Sequence, residues 1–541
     1  MPAGLLAWLV VLLVILFVGF IRVRLLDMPL ERDEGEYAYA GQLILQGIPP
    51  YELAYNMKLP GTYYAYALGM AVFGESCAGV HLTVLVTNTL TTIFVFFLAR
   101  KLFGTMAGVV GCASYGVMAA SPYVLGMAAH ASHFVVLFAV PATLLLLKAE
   151  EDKQTMTLFL SGLFYGLAFL MEQHGICFCL FGCFFLTCRA VMGKSIFSIG
   201  FLKTALTFGL GICLPFCFLF LTCLVAGDFT QFWFWTFIYA HNYVSLVSWS
   251  DGRRLLFEHL QQTWKVSLPF WVLAVAALPL GWLNKTNRVR VLFAGSLWFF
   301  SFLGVAVGMY FRPHYFILLL PAFAVLTGAA VASLQRILHF SPINMVLQSV
   351  PMALFVAIFG WAVYCQAPRF FLLSPVRVCE IIYPGNPFVE SLIVAGYIRT
   401  NSAPDARIAV VGSEPEIYFY ARRHSATGYI YTYALMEPQP AASAMQEQMI
   451  QEIELNKPEY LVAVSYGVSW LIRPRSNRLI LDWLQPYARR YYEPVGLVRR
   501  NSAGEIESDW GNLAANQNVL SGEYIVVFKL KPKEAVKALE P

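Results

Sequence analysis

The residues best suited to chemistry lie in one short acidic and aromatic segment near the N-terminus. It begins with Asp33 and Glu34, ends with Lys58, and follows an apolar stretch long enough to cross a bilayer. Ionisable side chains at a membrane surface are costly unless they have a partner or a task. A carboxylate can accept a proton from a hydroxyl, and a fixed lysine can bind a phosphate. This segment is therefore the first candidate for a catalytic site.

Part of the same segment also fits a structural role. The spacing of Asp33 and Glu36 is that of a capping box, which would begin a helix that runs to about Gln46. That interpretation leaves Glu34 without an assigned partner. Because a cap also fixes a carboxylate in place, the structural and functional interpretations are compatible and both stay open.

A second cluster, Arg312-Pro313-His314-Tyr315, stands between two apolar stretches. Arginine offers a phosphate a bidentate fork that lysine cannot. The structural alternatives are an arginine at headgroup depth beside a belt tyrosine and, for Lys58, a lysine that snorkels to the interface. Two cations on the same side of the membrane favour a phosphate clamp.

Polar residues near other span ends are weaker candidates, and their simpler interpretation is a helix end exposed to water. The candidate contacts to a sugar or an acceptor are Glu36, Tyr37, His130, His133, Glu172 and His174. Two histidines three residues apart could share a metal ion, but no HExxH-like context is present, so we predict no metal and no cofactor. The aromatic run from Phe229 to Tyr243 is typical of an interfacial belt, and stacking of its rings on a sugar stays open.

The composition is that of a polytopic membrane protein. Of 541 residues, 58% are hydrophobic and only 13% are charged, whereas soluble proteins carry about 25% charged residues. The net charge of +5 comes without a basic tract, so nucleic acid is not a predicted partner. Eleven spans are predicted, near residues 3–21, 82–99, 105–123, 133–148, 157–172, 175–193, 204–226, 266–283, 291–310, 314–334 and 345–365.

Several features of these spans bear on topology. The first is predicted to be a retained span, because its apolar run is too long for a signal peptide and no cleavage site follows. Residues 62–73 are too short to cross and suit an interfacial or re-entrant helix. The distribution of lysine and arginine favours a cytoplasmic N-terminus. The candidate site residues then lie at the outer ends of spans, and few charges with many cysteines favour a bacterial plasma membrane.

The chain is predicted to have two domains. Residues 1–365 form a helical membrane domain with a first outer loop over 22–81, and residues 366–541 form an α/β domain outside the cytoplasm. In the second domain, alternation and apolar runs predict strands at 407–411, 460–464 and 524–530 and helices at 387–399, 414–421, 444–455 and 479–489. Cys365 and Cys379 are candidates for one disulfide, whereas the cysteines inside the spans are interpreted as small apolar residues.

The loop signals occur in the order Asp33-Glu34-x-x-Tyr37, then Pro-Tyr at 50–51, then Lys58-x-Pro-Gly. This order resembles the first outer loop of GT-C glycosyltransferases, in the branch with protein O-mannosyltransferases and the aminoarabinose transferase of lipid A. The segment at Arg312, with a later proline, is similar to the arginine–tyrosine segment of bacterial members. The resemblance covers residues 1–365, and Leu59 replaces the first proline of the usual Lys-Pro-Pro.

The resemblance implies an enzyme that takes a sugar from a polyprenyl phosphate on the non-cytoplasmic side. It implies Asp33 as the base and Lys58 as a contact of the donor phosphate. Arg312, His314 and Tyr315 are predicted to complete the phosphate site. Glu34 would orient Asp33 or bind a sugar hydroxyl.

The chemistry is consistent with that implication. A lipid phosphate needs cationic stabilisation as it leaves, and in-line attack on the anomeric carbon would invert its configuration. The acceptor, which could be a lipid, a glycan or a protein, is not specified. Two other classes stay open, namely a transporter or lipid flippase and a membrane-anchored envelope assembly or binding protein.

Overall fold

The computed structural model describes residues 3–339, 345–511 and 522–532. Apolar helices dominate the chain up to residue 367. They are α1 (Ala3–Arg24), α2 (Arg32–Leu45), α3 (Gly61–Phe73), α4 (Cys77–Phe103), α5 (Thr105–Ala119), α6 (Ala131–Asp152), α7 (Thr155–Met171), α8 (Ile176–Met192), α9 (Ile199–Ala226), α10 (Phe229–Trp233), α11 (Ala240–Val244), α12 (Trp249–Trp282), α13 (Lys285–Ala306), α14 (Leu320–His339) and α15 (Met345–Ala367).

Within the described residues, nine helical segments are long and apolar enough to cross a membrane. The multi-pass membrane fold is therefore confirmed. All eleven predicted spans are helical, but α5 and α7 have only 15 and 17 residues. They rise about 22 to 26 Å, less than the roughly 30 Å of a bilayer core. These two predicted spans are therefore shorter apolar helices, while the other nine have the length and hydropathy of full spans.

The short helix α7 packs closely against α9 through glycines. A Cβ added at Gly162 would lie 2.2 Å from the carbonyl oxygen of Phe208, and one at Gly166 would lie 2.4 Å from that of Ile212. Small residues at such positions let two helix backbones approach, which is how helices associate in membranes. Packing of this kind positions the loop after α7, which carries Glu172.

The start of α2 differs from the prediction. Its capping box uses Glu31 and Glu34: the Glu31 carboxylate accepts from the Glu34 backbone N–H at 3.0 Å, and the Glu34 carboxylate accepts from the Glu31 N–H at 3.2 Å. The prediction that Asp33 and Glu36 form the box is wrong, because Glu31-x-x-Glu34 has the same spacing two residues earlier. Asp33 consequently lies in the first turn with its carboxylate free for other contacts.

The C-terminal part is a mixed α/β unit, as predicted. Its helices are α16 (Pro375–Ile382), α17 (Phe388–Asn401), α18 (Glu416–Ala421), α19 (Tyr433–Met436), α20 (Ala442–Asn456), α21 (Gly467–Trp470) and α22 (Leu479–Tyr491). Its strands are β1 (Arg407–Val411), β2 (His424–Ser425), β3 (Tyr460–Ser465), β4 (Tyr492–Arg500), β5 (Ile506–Trp510) and β6 (Tyr524–Leu530). They form one sheet in the order β2-β1-β3-β6-β4-β5.

The three predicted strands are the central ones, β1, β3 and β6. The strands that the sequence did not indicate are β2, β4 and β5, of which β2 has two residues and β5 is a mostly exposed edge strand with charged side chains. Charges on an edge discourage pairing with other chains but weaken the apolar pattern of a strand. The domain boundary predicted after residue 365 stays a prediction.

The predicted disulfide is not formed, since Cys365 and Cys379 are both free. Cys379 is buried on α16, where its Sγ lies 3.7 Å from the carbonyl oxygen of Pro29. The thiol therefore packs against the chain that follows α1, while Cys365 lies on α15.

The C-terminal unit docks directly on the segment that follows α1. The Leu30 N–H donates to the Tyr420 hydroxyl at 2.8 Å, and the Tyr39 hydroxyl accepts from the Ser425 N–H at 2.8 Å. The Tyr55 N–H donates to the carbonyl of Gly428 at 2.7 Å. The first loop and the sheet unit thus lie on the same side of the helical bundle, as an odd number of spans requires.

The closest approach in this interface predicts the effect of Gly35→Ala. A Cβ at Gly35 would lie 2.6 Å from Cβ and 2.7 Å from N of Glu416. We expect Gly35→Ala to lower the free energy of unfolding by about 1–3 kcal/mol because the backbone of α18 must shift. Thermal unfolding of the detergent-purified protein measures the effect.

Gly396→Ala is the matched control, since Gly396 lies on the exposed face of α17 with nothing within 4 Å of an added Cβ. It should leave stability unchanged or raise it slightly through helix propensity. Equal melting temperatures for Gly35→Ala and the unsubstituted protein would contradict the close packing.

Candidate active site

One cavity of about 410 Å³ lies where the first loop, the segment before α14 and the C-terminal unit meet. Its wall is formed by residues from distant parts of the chain. They are Glu31, Arg32, Asp33, Tyr55, Asn56, Met57, Lys58, Leu125, His130, Trp235, Tyr239, Tyr243, Leu255, His259, Tyr310, Arg312, Pro313, His314, Tyr315, Tyr383, Asn386, Phe388, Tyr431, Tyr433, Ala434 and Glu437. Acidic, basic and aromatic groups therefore line one shared cavity.

Asp33 is the acidic centre of this cavity. Its Oδ1 lies 3.3 Å from Nζ of Lys58 and accepts a long hydrogen bond of 3.5 Å from the Tyr431 hydroxyl. Burial alone would raise the pKa of Asp33, but Lys58, His314, His130 and Arg312 together hold it well below its ordinary value. Asp33 is therefore an ionised carboxylate.

Lys58 is held by contacts on both sides. Its Nζ donates to the Tyr37 hydroxyl at 2.6 Å and lies 4.8 Å from the centre of that ring. Burial would lower the pKa of Lys58, but Asp33 and Glu36 raise it above its ordinary value. The Tyr51 hydroxyl donates to the Lys58 carbonyl at 2.7 Å, so the backbone of Lys58 is fixed as well.

Arg312 provides the second cation. Its Nη2 donates to the Tyr243 hydroxyl at 3.3 Å, and its guanidinium lies 5.6 Å from the centre of the Tyr310 ring. Tyr243 and burial act on the pKa of Arg312 in opposite directions, and the net result is a rise. Phe311 has φ +48°, an uncommon conformation for a bulky residue that functional sites often retain.

The structure brings half of the predicted site residues onto the cavity wall. They are Asp33, Lys58, His130, Arg312, His314 and Tyr315. The other half lies behind the wall. They are Glu34, Glu36, Tyr37, His133, Glu172 and His174.

Glu34 is fully buried and supports the wall from behind. Besides closing the capping box, its Oε1 accepts from the Ala129 N–H at 2.6 Å and lies 3.2 Å from Nε2 of His81. Burial raises the pKa of Glu34 but its contacts, above all His81, lower it overall. Since Ala129 directly precedes His130, Glu34 fixes the position of that histidine relative to α2.

Glu36 occupies a similar place behind Lys58. Its carboxylate accepts from Asn56 Nδ2 at 2.7 Å and from the Tyr63 hydroxyl at 2.6 Å. Burial raises the pKa of Glu36 to about 7, in spite of the opposing effect of Lys58. Glu36 thus changes charge close to neutral pH.

The polar residues at the starts of α6 and α8 are buried, contrary to the expectation of exposed helix ends. Glu172 accepts from the Ser132 hydroxyl at 3.0 Å, and His174 packs with its edge on the ring of Tyr315 at 4.3 Å. His133 lies against Gly126, with Nε2 3.1 Å from the carbonyl oxygen. His174 therefore supports Tyr315, and Glu172 is bonded to the start of α6.

The sequence did not indicate the contribution of the C-terminal unit. Tyr431, Tyr433 and Glu437 line the cavity, and the Glu437 carboxylate accepts from the Tyr239 hydroxyl at 2.6 Å. The available signal was the alternation of tyrosines at 429, 431 and 433. Three members of the predicted interfacial belt, Trp235, Tyr239 and Tyr243, also line this cavity.

The comparisons with known proteins agree with the fold. A family model described as dolichyl-phosphate-mannose-protein mannosyltransferase matches residues 58–218. The solved structure of ArnT from Cupriavidus metallidurans bound to undecaprenyl phosphate matches with a TM-score of 0.59 at 14% identity, over 97% of this chain and 98% of that one. No curated protein sequence gives a significant match.

A second solved structure leads to the same fold. The archaeal oligosaccharyltransferase AglB from Archaeoglobus fulgidus, in complex with an inhibitory peptide and a dolichol-phosphate, matches with a TM-score of 0.52 at 12% identity, over 98% of this chain and 77% of that one. The predicted GT-C fold is confirmed.

The position of Glu36 predicts a pH-dependent effect of Glu36→Gln. Its pKa is about 7 in the fold against an ordinary value of 4.5. As pH rises, the unfolded chain therefore loses this proton before the folded protein does. Ionisation of Glu36 thus lowers the free energy of unfolding between about pH 4.5 and pH 7. We therefore expect the change in melting temperature caused by Glu36→Gln, relative to the unsubstituted protein, to be more stabilising at pH 7.5 than at pH 5. Thermal unfolding at the two pH values measures it.

Glu52→Gln is the control, because Glu52 is an exposed carboxylate of the same loop. Its effect on the melting temperature should be small at both pH values. If the melting temperatures of Glu36→Gln and the unsubstituted protein differ by the same amount at both pH values, the pKa of Glu36 is not raised.

Proposed function

We propose that this chain is an integral-membrane, inverting glycosyltransferase that transfers a sugar from a polyprenyl phosphate to an acceptor hydroxyl. The observation that carries the proposal is the meeting of Asp33, Lys58 and Arg312 in one cavity of a GT-C fold. ArnT bound to undecaprenyl phosphate and AglB bound to a dolichol-phosphate support a lipid-phosphate donor.

The two cations bind the donor phosphate. Lys58 acts as a point charge, and Arg312 offers two parallel N–H donors. As the bond to the anomeric carbon breaks, negative charge grows on the phosphate, and preorganised cations stabilise this change without reorganising. His314 and Tyr315 lie on the same wall and complete the phosphate site.

Asp33 accepts the proton of the acceptor hydroxyl. Lys58 holds the pKa of Asp33 down. A donor phosphate competes with Asp33 for that ammonium, so donor binding raises the basicity of the carboxylate. The base therefore becomes stronger when the sugar to be transferred is present, and attack opposite the phosphate inverts the anomeric centre.

The remaining predictions follow the same arrangement. Residues 1–365 form the catalytic membrane domain, and residues 366–541 cover the site outside the cytoplasm of a bacterial plasma membrane. Tyr37 and Glu36 support Lys58, whereas His130 faces the sugar or the acceptor. The acceptor is a lipid, a glycan or a protein, and nucleic acid is not a partner.

Replacing Asp33 by Asn tests the base. The amide keeps the size of the side chain but cannot accept a proton, so kcat should fall by about 10²- to 10⁴-fold. The purified protein is incubated with a set of polyprenyl-phosphate sugars, and release of polyprenyl phosphate is measured. Glu52→Gln, which changes an exposed carboxylate of the same loop, should keep full turnover.

Undiminished turnover of a folded Asp33→Asn protein would remove Asp33 as the base. Sugar accumulation in sealed vesicles without release of polyprenyl phosphate would instead indicate a transporter. Thermal unfolding of both variants serves as the check on folding.

Replacing Arg312 by Lys tests the bidentate contact between the guanidinium and the donor phosphate. The charge is kept, but one of two parallel hydrogen bonds to the phosphate is lost, so kcat/KM for the donor should fall about 10- to 100-fold. Arg254→Lys is the matched control, because Arg254 is exposed and pairs only with Asp251 at 3.3 Å among the described residues. Equal kcat/KM for both variants would show that Arg312 does not contact the donor.

A further inference from the structure

The loop between α21 and α22 combines exposed apolar side chains with positive charge. Residues 471–479, which we call the arginine loop, read Leu-Ile-Arg-Pro-Arg-Ser-Asn-Arg-Leu and contain no acidic residue. Leu471 and Ile472 are 43% and 50% exposed, and Leu479 is exposed as well. Segments that bind at a membrane interface have this composition, because their apolar groups enter the leaflet while their cations bind anionic lipids.

The three arginines of this loop are available for a ligand. Arg475 and Arg478 are exposed, and Arg473 is half-buried. Within the part of the chain that the structure describes, none of the three forms an ion pair. The positive charge of the loop is therefore not neutralised by the protein itself.

Contacts with the helical domain place the arginine loop at the depth of the membrane surface. The aromatic run after α9 exposes three large apolar side chains, as residues at headgroup depth do. They are Trp233, Phe237 and Ile238. From the same run the Tyr239 hydroxyl donates to Glu437 at 2.6 Å, and the Ser476 hydroxyl of the loop donates to the carbonyl of Met436. Two hydrogen bonds at adjacent residues thus connect the loop to the interfacial aromatic run.

The sheet gives the loop the same orientation. The loop follows β3 and α21, so it leaves the carboxyl edge of that strand. At this edge the Ser469 hydroxyl donates to Glu414 at 2.7 Å, and Glu414 pairs with Arg32 of the first loop at 3.0 Å. The arginine loop therefore lies on the face of the C-terminal unit that is turned toward the helical domain.

The first turns of α12 have a similar composition on the same side of the bundle. Trp249, Arg253 and Phe257 are exposed there. A Cβ added at Gly252 would lie 2.8 Å from Cβ of Met309, so these turns pack against the end of α13 and its following turn. Exposed cations and apolar side chains therefore come from both domains at this level.

We propose that the arginine loop binds the surface of an anionic bilayer, in the leaflet on the side of the first loop. Leu471 and Ile472 enter the leaflet, and the three arginines bind the phosphates of anionic lipid headgroups. A guanidinium suits this task because it offers a phosphate two parallel donors. Each cation near an anionic membrane surface strengthens binding by about fivefold. The C-terminal unit is thus held both by the first loop and by the membrane itself.

The bound headgroups would lie beside the cavity. Burial raises the pKa of Glu437, whereas the hydrogen bond from Tyr239 and the guanidinium of Arg473 act against that rise. Arg473 is therefore close to Glu437, which lines the cavity. The surface of the bilayer and the cavity wall consequently meet at the arginine loop.

Hydrogen–deuterium exchange of the full-length protein in lipid nanodiscs tests the inference. One sample contains phosphatidylcholine alone, and the other contains a mixture with phosphatidylglycerol. We expect the amides of the arginine loop to exchange at least about fivefold more slowly with the anionic lipid. Sodium chloride at about 1 M should remove this difference, because it shortens the Debye length to about 3 Å. The exposed strand β5 should exchange equally in both samples.

The double variant Arg475→Gln with Arg478→Gln should lose the protection by phosphatidylglycerol, and so should Leu471→Ser with Ile472→Ser. Arg489→Gln with Arg490→Gln is the matched control and should keep it. These two exposed arginines lie near the opposite edge of the sheet, because they precede β4 at the end where that strand pairs with Leu530. Thermal unfolding confirms that each variant is folded.

Three results would overturn the inference. They are equal exchange of the loop in both nanodiscs, protection that survives in the Arg475 and Arg478 double variant, and equal protection by inorganic phosphate in phosphatidylcholine nanodiscs. The last result would identify a site for small anions in place of a bilayer surface. The experiment contains neither donor nor acceptor, so its outcome is independent of the proposed function.

Discussion

The candidate site depends on the buried ion pair between Arg32 and Glu414, which joins the first loop to the C-terminal unit. The Arg32 Nη2 lies 3.0 Å from Glu414 Oε1, and its Nη1 donates to Asn386 Oδ1 at 3.0 Å. Its Nε donates to the carbonyl of Ser413. Loss of one partner from a buried pair leaves an uncompensated charge, which typically costs about 3–5 kcal/mol. Because Arg32 directly precedes Asp33, this pair fixes the backbone of the proposed base relative to both parts of the protein.

The three carboxylates that follow Arg32 in the chain have different roles, which depend on their surroundings. Glu34 is bonded to backbone N–H groups and serves as a support, while Glu36 is buried behind Lys58 and has a pKa of about 7. Asp33 differs because its carboxylate reaches the cavity and shares Lys58 with any anion that enters. Three carboxylates in four residues are therefore separated by burial and hydrogen bonding, which is how one short segment can both support the fold and contain the proposed base.

Much of this organisation could be predicted from the sequence, because it follows from local pattern. Apolar runs located the helices, and the buried strands β1, β3 and β6 have a clear pattern. The capping box was assigned to the wrong pair because two overlapping spacings fit equally well, and only the hydrogen bonds of Glu31 and Glu34 distinguish them. The stacking of His130 on His314 joins residues far apart in the chain, so no local pattern could indicate it. The contribution of Tyr431 was missed for the same reason.

The sheet explains why the C-terminal unit provides part of the cavity wall. Strands β2, β1 and β3 are parallel neighbours, so their carboxyl ends meet at one edge. The segments that leave this edge carry Ser413 and Glu414 after β1, Tyr431 after β2, and Ser469 after β3. They are bonded to one another, since the Ser469 hydroxyl donates to Glu414 at 2.7 Å and accepts from the Ser413 N–H at 2.8 Å. In open α/β sheets, ligands bind outside the carboxyl ends of parallel strands. Here that edge faces the first loop, and the usual ligand position of the sheet coincides with one wall of the cavity.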